Sequence, residues 1–395
     1  MDTDQMMDTD LGFDLAADLR ADPTPAAARR VLGQALDWLR VHTDQLPEPE
    51  QRDLARRVGA RTGLYAAEYP VEYGGLGITE QLAVQLREEA AASGKWYSRF
   101  LLTNFHGPSR ILMDGTEAQR QRWLRPLVEG VWTRCLAMTE EGGGSDLSQM
   151  RTTATRTPAG GWTLSGRKFL IGNAAFADVA IVLANTVGSV PSGPTFFVFG
   201  TDTPGWKVLR RLPGMDPHYW AFEVELDSVP LTDDAVIGGP TQIGNGIGKV
   251  SEWMAHGRLA MAARAVGLSR YALGVARRHA AQRTVNGGRL DGKQYIREFL
   301  VRSDVKVEAS RCLVHKAAAA VDAGRVAVRE AAVAKLFATE SACQVIDDAI
   351  QTLGGRGWLS DYGLEQVYRE ARAFRIADGA SELLKETIFH LPSTM

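Results

Sequence analysis

Apolar residues follow a helical period at both ends of the chain and a strand period in the middle. Leu32, Ala35, Leu36 and Leu39 recur at i, i+3, i+4 and i+7, which gathers them on one face of a helix beginning after Pro23 and Thr24. From about residue 134 to 235 the period shortens. Phe222, Val224 and Leu226 alternate with Glu223, Glu225 and Asp227, and the runs 178–186 and 195–199 are apolar, rich in β-branched or aromatic residues and bounded by Gly, Pro and Ser. Pro158-Ala159-Gly160-Gly161 reads as a turn between two strands. With no helical stretch interposed, these strands predict an antiparallel sheet or barrel, not a βαβ array. Beyond residue 246 the helical period returns. Leu259, Ala262, Val266, Leu273 and Ala276 mark a long helix ending near Arg283, and 317–342 reads as an alanine-rich helix pair, so a four-helix bundle is expected.

The predicted class is therefore α+β, in three parts: an N-terminal helical domain over 1–133, a middle β domain over 134–245 and a C-terminal helical bundle over 246–395. Tyr69 to Gly77, with one proline and three glycines, interrupts the first part as a structural loop.

Composition adds boundaries more than direction. A chain of 395 residues that is 45% apolar and 23% charged has enough material for a sizeable core. Its net charge of −2 and the lack of long like-charge runs exclude a general pull toward nucleic acid or anionic membrane. Cys135, Cys312 and Cys343 are far apart, with no disulfide or zinc spacing, and the seven histidines are scattered, so no metal is expected. The acidic start, Met1 to Leu15, lacks the basic and apolar regions of an export leader, and no apolar run is long enough to cross a membrane. A cytoplasmic protein is expected.

Several familiar motifs fail on inspection. Gly244-Asn245-Gly246-Ile247-Gly248 has the wrong spacing and setting for a dinucleotide loop, and Leu147 stands where a nucleophile elbow requires glycine. More informative is Ala137-Met138-Thr139-Glu140-Glu141-Gly142-Gly143-Gly144-Ser145-Asp146, a glycine-rich strand exit where backbone and hydroxyls can approach a flat or anionic ligand.

That segment resembles the A-[LM]-T-E-P-x-A-G-S-D element of the acyl-CoA dehydrogenase family, with Glu141 and Gly143 replacing its proline and alanine. Leu164 to Asn173 is similar to the family's L-N-G-x-K-x-[WF]-I-T-N strand. Gly257-Arg258, Arg283 to Gly287, Gln351 to Trp358, Tyr368 to Arg372 and Ile376 to Glu382 continue the resemblance in family order.

The resemblance implies a bound FAD. Met138, Thr139, Gly144, Ser145, Ile171 and Gly172 would line its ring and pyrophosphate. Arg283, Gln351, Gly354 and Gly355 would hold the adenosine and pyrophosphate end of a neighbouring subunit's FAD, with Ser381 and Glu382 near the ribose. Ser145, Arg258 and Gly379 would contact substrate. Homotetramers or homodimers are implied, as is an electron-transfer flavoprotein, or oxygen, as acceptor.

The implied reaction is α,β-dehydrogenation of an acyl thioester, carried on CoA or an acyl carrier protein. It needs a base for the α-proton, donors to the thioester carbonyl and flavin N5 for the hydride. Most members carry the base as a glutamate, where this chain has Asp378; some use the position before the helix arginine, which here is Gly257. An aspartate reaches about 1.5 Å less than a glutamate, and a displacement of about 1 Å can cost on the order of a hundredfold in rate.

Gly172, Leu170, Asn286 and Tyr219-Trp220-Ala221 also depart from the family pattern near the flavin and the substrate mouth. Two alternatives therefore stand beside dehydrogenation. One is an oxidase-type relative acting on a nitroalkane-like carbon acid, a reaction that uses aspartate at the matched position; the other is a catalytically silent, flavin-bound binding protein.

Overall fold

The computed structural model describes Leu19 and residues 23–103, 106–248 and 250–391. The acidic segment Met1 to Leu15 lies outside them. Two compact units result: the described residues before Tyr69 together with Ile78–Leu102 and the chain from Met254, and Tyr69–Gly77 together with Thr103–Trp253.

The first unit is helical. Helix α1, Pro25–His42, starts where Thr24 Oγ1 accepts the Ala27 N–H at 3.3 Å. Leu32, Ala35 and Leu39 of its predicted apolar face are buried, while Leu36 is only half-buried at the edge. Helices α2 (Glu48–Thr62) and α3 (Glu80–Ala91) follow.

The long helix α4 (Val250–Gln282) falls where the apolar period predicts it, while the expected pair over 317–342 is the end of α5 (Gln294–Asp322) and the start of α6 (Val328–Leu353), both of which extend well beyond the alanine-rich stretch, with α7 (Leu364–Phe374) and α8 (Ser381–His390) following. α5 and α6 pack on each other, and both carry buried alanines, Ala317, Ala318 and Ala320 on α5 and Ala331, Ala334 and Ala338 on α6, small side chains that suit the close approach of an alanine seam. Asp322 also ties α5 to α3, accepting the N–H groups of Glu80 at 2.7 Å and Gln81 at 3.0 Å. On α4, a Cβ at Gly267 would stand 2.3 Å from Glu88 O, so glycine is what lets α3 pack so close.

The second unit is built on a seven-stranded sheet. Its strands are β1 (Arg134–Ala137), β2 (Thr153–Arg156), β3 (Trp162–Gly172), β4 (Val179–Val187), β5 (Pro194–Gly200), β6 (Trp206–Leu212) and β7 (Ala221–Leu231). Most pairings are antiparallel as expected, but β1 and β2 both run parallel to β4, so the sheet is mixed. The cause is connectivity. Neither strand adjoins β4 in the chain: β3 lies between β2 and β4, and both β2 and β3 lie between β1 and β4, so no hairpin imposes an antiparallel pairing.

Phe222, Val224 and Leu226 of β7 join Trp162, Leu164 and Phe197 in the core, in the predicted alternation. The Pro158–Gly161 turn closes β2 onto β3. Gly161 is required there, because its φ is +83° and a Cβ would stand 2.4 Å from Leu231 O. Tyr69 to Gly77 is a tight self-bonded turn, with Gly75 N–H donating to Pro70 O and Gly77 N–H to Tyr69 O. Among the described residues no helix is long and apolar enough to cross a membrane.

Candidate active site

In the helical unit, the segment between α7 and α8 carries Asp378 and Gly379, both left-handed, with φ of +51° and +99°. Aspartate tolerates this region better than most side chains, and the glycine completes the turn without strain. Two cations fix the turn's successive carbonyls. Arg258 Nε donates to Asp378 O at 3.2 Å, and Lys335 Nζ donates to Gly379 O at 2.7 Å.

The carboxylate lies over α4 at Gly257, where a Cβ would stand 2.9 Å from Asp378 Oδ2. Glycine at 257 therefore makes room for the acid at 378. Arg258 is buried, and loss of solvent lowers its pKa while Asp378 opposes that fall. Lys335 is fully buried. Its burial pushes the ammonium down to about 8 despite the Asp378 charge, with Arg258 adding to the fall and Glu340 and Glu382 opposing it.

Ser381 and Glu382 begin α8. Ser381 is buried and donates through Oγ to Glu340 Oε1 at 2.6 Å, whereas Glu382 is exposed. A second cluster forms where α4 ends. His279 has its pKa lowered by partial burial and by the nearby charges of Arg356 and Arg283. Gln351, Gly354 and Gly355 at the end of α6 are exposed beside Arg356 in sequence, and a Cβ at Gly354 or Gly355 would meet nothing within 4 Å.

In the β unit, the segment leaving β1 is clamped to β3. Glu140 accepts from Arg151 N–H at 2.8 Å, Thr152 N–H at 3.0 Å, Thr152 Oγ1 at 2.6 Å and Lys168 Nζ at 2.9 Å. Burial alone would raise the Glu140 pKa, but these donors outweigh it and hold the carboxyl below its ordinary range. Lys168 Nζ also donates to Met138 O at 3.1 Å, and Phe169 N–H to Thr139 O at 2.9 Å. The clamp thus fixes the backbone of Met138 and Thr139 while leaving Gly144 and Ser145 exposed.

Further along β3, a register shift between Lys168 and Ile171 turns Leu170 outward at φ +57° and keeps Ile171 buried. Gly172 follows. A Cβ there would stand 3.1 Å from Tyr219 Oη and 3.3 Å from His106 Cε1, so a phenol hydroxyl occupies room beside this glycine. The residues suit a flavin dinucleotide on both counts: an exposed loop of small residues and hydroxyls in one unit, and a cation cluster beside open glycine backbone, fit for a pyrophosphate, in the other. Among the described residues no group of three or more His, Cys, Asp or Glu could hold a metal ion.

Family models for the acyl-CoA dehydrogenase N-terminal, middle and C-terminal domains match residues 19–131, 135–229 and 244–390. The chain belongs to the acyl-CoA dehydrogenase family. It is thus an FAD-dependent oxidoreductase of the type that acts on CH–CH groups. It is 31% identical over 335 residues to the 3-(aryl)acrylate reductase of Clostridium sporogenes, covering 83% of this chain and 87% of that one. It is 32% identical over 333 residues to the benzylmalonyl-CoA dehydrogenase of Aromatoleum aromaticum, covering 83% and 86%. Among solved structures, the butyryl-CoA dehydrogenase of Megasphaera elsdenii superposes with a TM-score of 0.81 at 27% identity, covering 92% of this chain and 97% of that one.

Within this member of the acyl-CoA dehydrogenase family, the helical unit brings Asp378, Gly379 and Arg258 together, and the β unit ties Met138 and Thr139 to the strand that ends in Ile171 and Gly172. Sequence reasoning did not single out Lys335, Lys168, His279 or Arg356. Two of these left a trace. Lys335 interrupts the apolar stripe Ala331, Ala334, Ala338 and Ala342 at helical spacing, and Lys168 shares the inward parity of Trp162 and Leu164 on β3.

Proposed function

We propose that this acyl-CoA dehydrogenase family member carries out α,β-dehydrogenation of an acyl thioester, borne on CoA or an acyl carrier protein, with Asp378 as the base that removes the α-proton. The observation that carries this reading is the Asp378 carboxylate lying against the side-chain-free face of α4 at Gly257, on a turn pinned by two buried cations. A base must be held in place to act, and the turn that carries this carboxylate is tethered at two consecutive carbonyls.

FAD would supply the hydride acceptor, its ring lined by the Met138–Ser145 segment, Ile171 and Gly172, while Arg283, Gln351 and the Gly354-Gly355 backbone would hold the pyrophosphate and adenosine end of a neighbouring subunit's FAD. Gly379, next to the base, offers its backbone N–H to the thioester carbonyl, where charge develops as the proton leaves. Arg258 and Ser145 contact the bound thioester. An electron-transfer flavoprotein reoxidises the enzyme, which works as a homo-oligomer.

The test is anaerobic bleaching of the flavin by a panel of acyl-CoA and carrier-bound thioesters, with Asp378→Asn alongside. Because one relative is named as an acrylate reductase, reduced enzyme is also offered α,β-unsaturated thioesters. A general base contributes about a hundredfold to ten-thousandfold, so Asp378→Asn should slow bleaching by that much while keeping its FAD. Undiminished bleaching in the variant would remove Asp378 from the role.

A further inference from the structure

We propose that Lys335 is a positioning residue for the reaction: through the Gly379 carbonyl it locks the left-handed turn that carries Asp378, and its positive charge faces the Asp378 carboxylate. The inference rests on the reading of Asp378 as the base.

Three observations converge on it. Lys335 is fully buried on α6, a place where a lysine is rarely kept without a purpose in the fold or the site. Its ammonium is spent on a backbone carbonyl of the turn, at 2.7 Å, and not on a carboxylate salt bridge. That carbonyl belongs to the residue immediately after Asp378, whose own φ of +51° lies in the left-handed region that a residue other than glycine keeps only when its surroundings hold it there.

Arg258 holds the preceding carbonyl from α4. With both cations in place the turn is fixed at two consecutive peptide units, one from each helix. With Lys335 gone, Gly379 regains the freedom of a glycine, and the turn that carries the carboxylate loses one of its two carbonyl tethers. A charge-assisted hydrogen bond is roughly twice as strong as a neutral one, so loss of the Lys335 proton loosens the same joint.

The charged groups facing Lys335 are Asp378 in the turn, Arg258 on α4, Glu340 on its own helix and Glu382 on α8. Carboxylates and guanidinium ordinarily titrate far from neutrality. Burial has brought the Lys335 ammonium to about 8. Below that pH the lysine is charged and the turn is pinned; above it the proton is lost, and the rate of substrate-driven flavin reduction should fall.

The experiment uses the FAD-loaded enzyme. Anaerobic stopped-flow reduction by a substrate thioester is recorded from pH 6 to 10 for the unaltered protein, Lys335→Met, Lys335→Arg and Asp378→Asn. Unaltered enzyme should lose rate, on the order of tenfold, through a limb near pH 8. Lys335→Met should be slow at every pH, by about tenfold to a hundredfold, with KM within about twofold, FAD retained and faster amide exchange at residues 377–381.

Lys335→Arg should restore part of the rate and remove the limb, because a guanidinium keeps its proton. A merely structural lysine would change stability without moving the limb. A flat profile in the unaltered enzyme overturns the proposal even if the variants do not fold. So does Lys335→Met with an unchanged rate beside an inactive Asp378→Asn. An active Asp378→Asn instead strikes at the base assignment itself.

Discussion

Replacing Gly257 with alanine separates fold from chemistry. The position lies inside α4, where alanine is favoured over glycine by about 1 kcal/mol, so the variant should be as stable as the parent or slightly more so. The new methyl would stand 2.9 Å from Asp378 Oδ2. An ordinary contact is about 3.5 Å, so the carboxylate must retreat by roughly 0.6 Å. Its backbone resists following, because Arg258 and Lys335 hold the carbonyls of Asp378 and Gly379, the two consecutive peptide units that leave the Asp378 Cα. The retreat falls on the side-chain torsions. If a misplacement of about 1 Å costs on the order of a hundredfold, this one should cost about tenfold in the rate of anaerobic flavin reduction. Thermal unfolding and stopped-flow reduction, measured on the same FAD-loaded sample, give both numbers. A Gly257→Ala enzyme that reduces its flavin at the parental rate would refute the claim that this glycine exists to admit the acid.

Two further expectations concern the surroundings of the site. Glu370 is buried between Arg264, which donates to it directly, and Arg99 at 3.9 Å; Glu370→Ala leaves buried guanidinium charge uncompensated and should cost about 3–5 kcal/mol in chemical denaturation, an idea that a loss below about 1 kcal/mol would defeat. Glu140 has a folded pKa depressed below its ordinary 4.5, so its contribution is fully present above that value and is lost as pH falls through the folded pKa. Exchange of the Arg151 and Thr152 amides, corrected for intrinsic rates, should therefore rise in acid before the β unit unfolds, and protection persisting to the point of global unfolding would contradict it.

Much of the fold was legible because local pattern and burial agree. The Thr24 cap, the α1 stripe, the β7 alternation and the alanine-rich pair all follow from periods of 3.6 and 2 and from turn chemistry that acts over a few residues. The parallel pairing of β1 and β2 with β4 was not legible, because register between distant segments leaves no mark in either one. The same division runs through the site. The motif resemblance pointed to Asp378. What makes the acid stand where it does lies elsewhere: an absent side chain at Gly257 on α4 and an ammonium at Lys335 on α6, each far from Asp378 in sequence. Likewise, Gly172, which stands where the resembled motif has threonine, has a phenol nearby, supplied by Tyr219 just ahead of β7, the strand paired with β3.

The two carbonyl tethers give the helical bundle an office beyond support. Arg258 rides on α4 and Lys335 on α6, and each grips an adjacent link of the same short turn. The bundle therefore works as a pair of callipers whose opening sets where the acid points. A substitution several turns away, anywhere that small alanines let α6 sit close, can change that opening without touching substrate or flavin. Inherited variation in turnover should accordingly accumulate along the alanine seam as well as around the pocket.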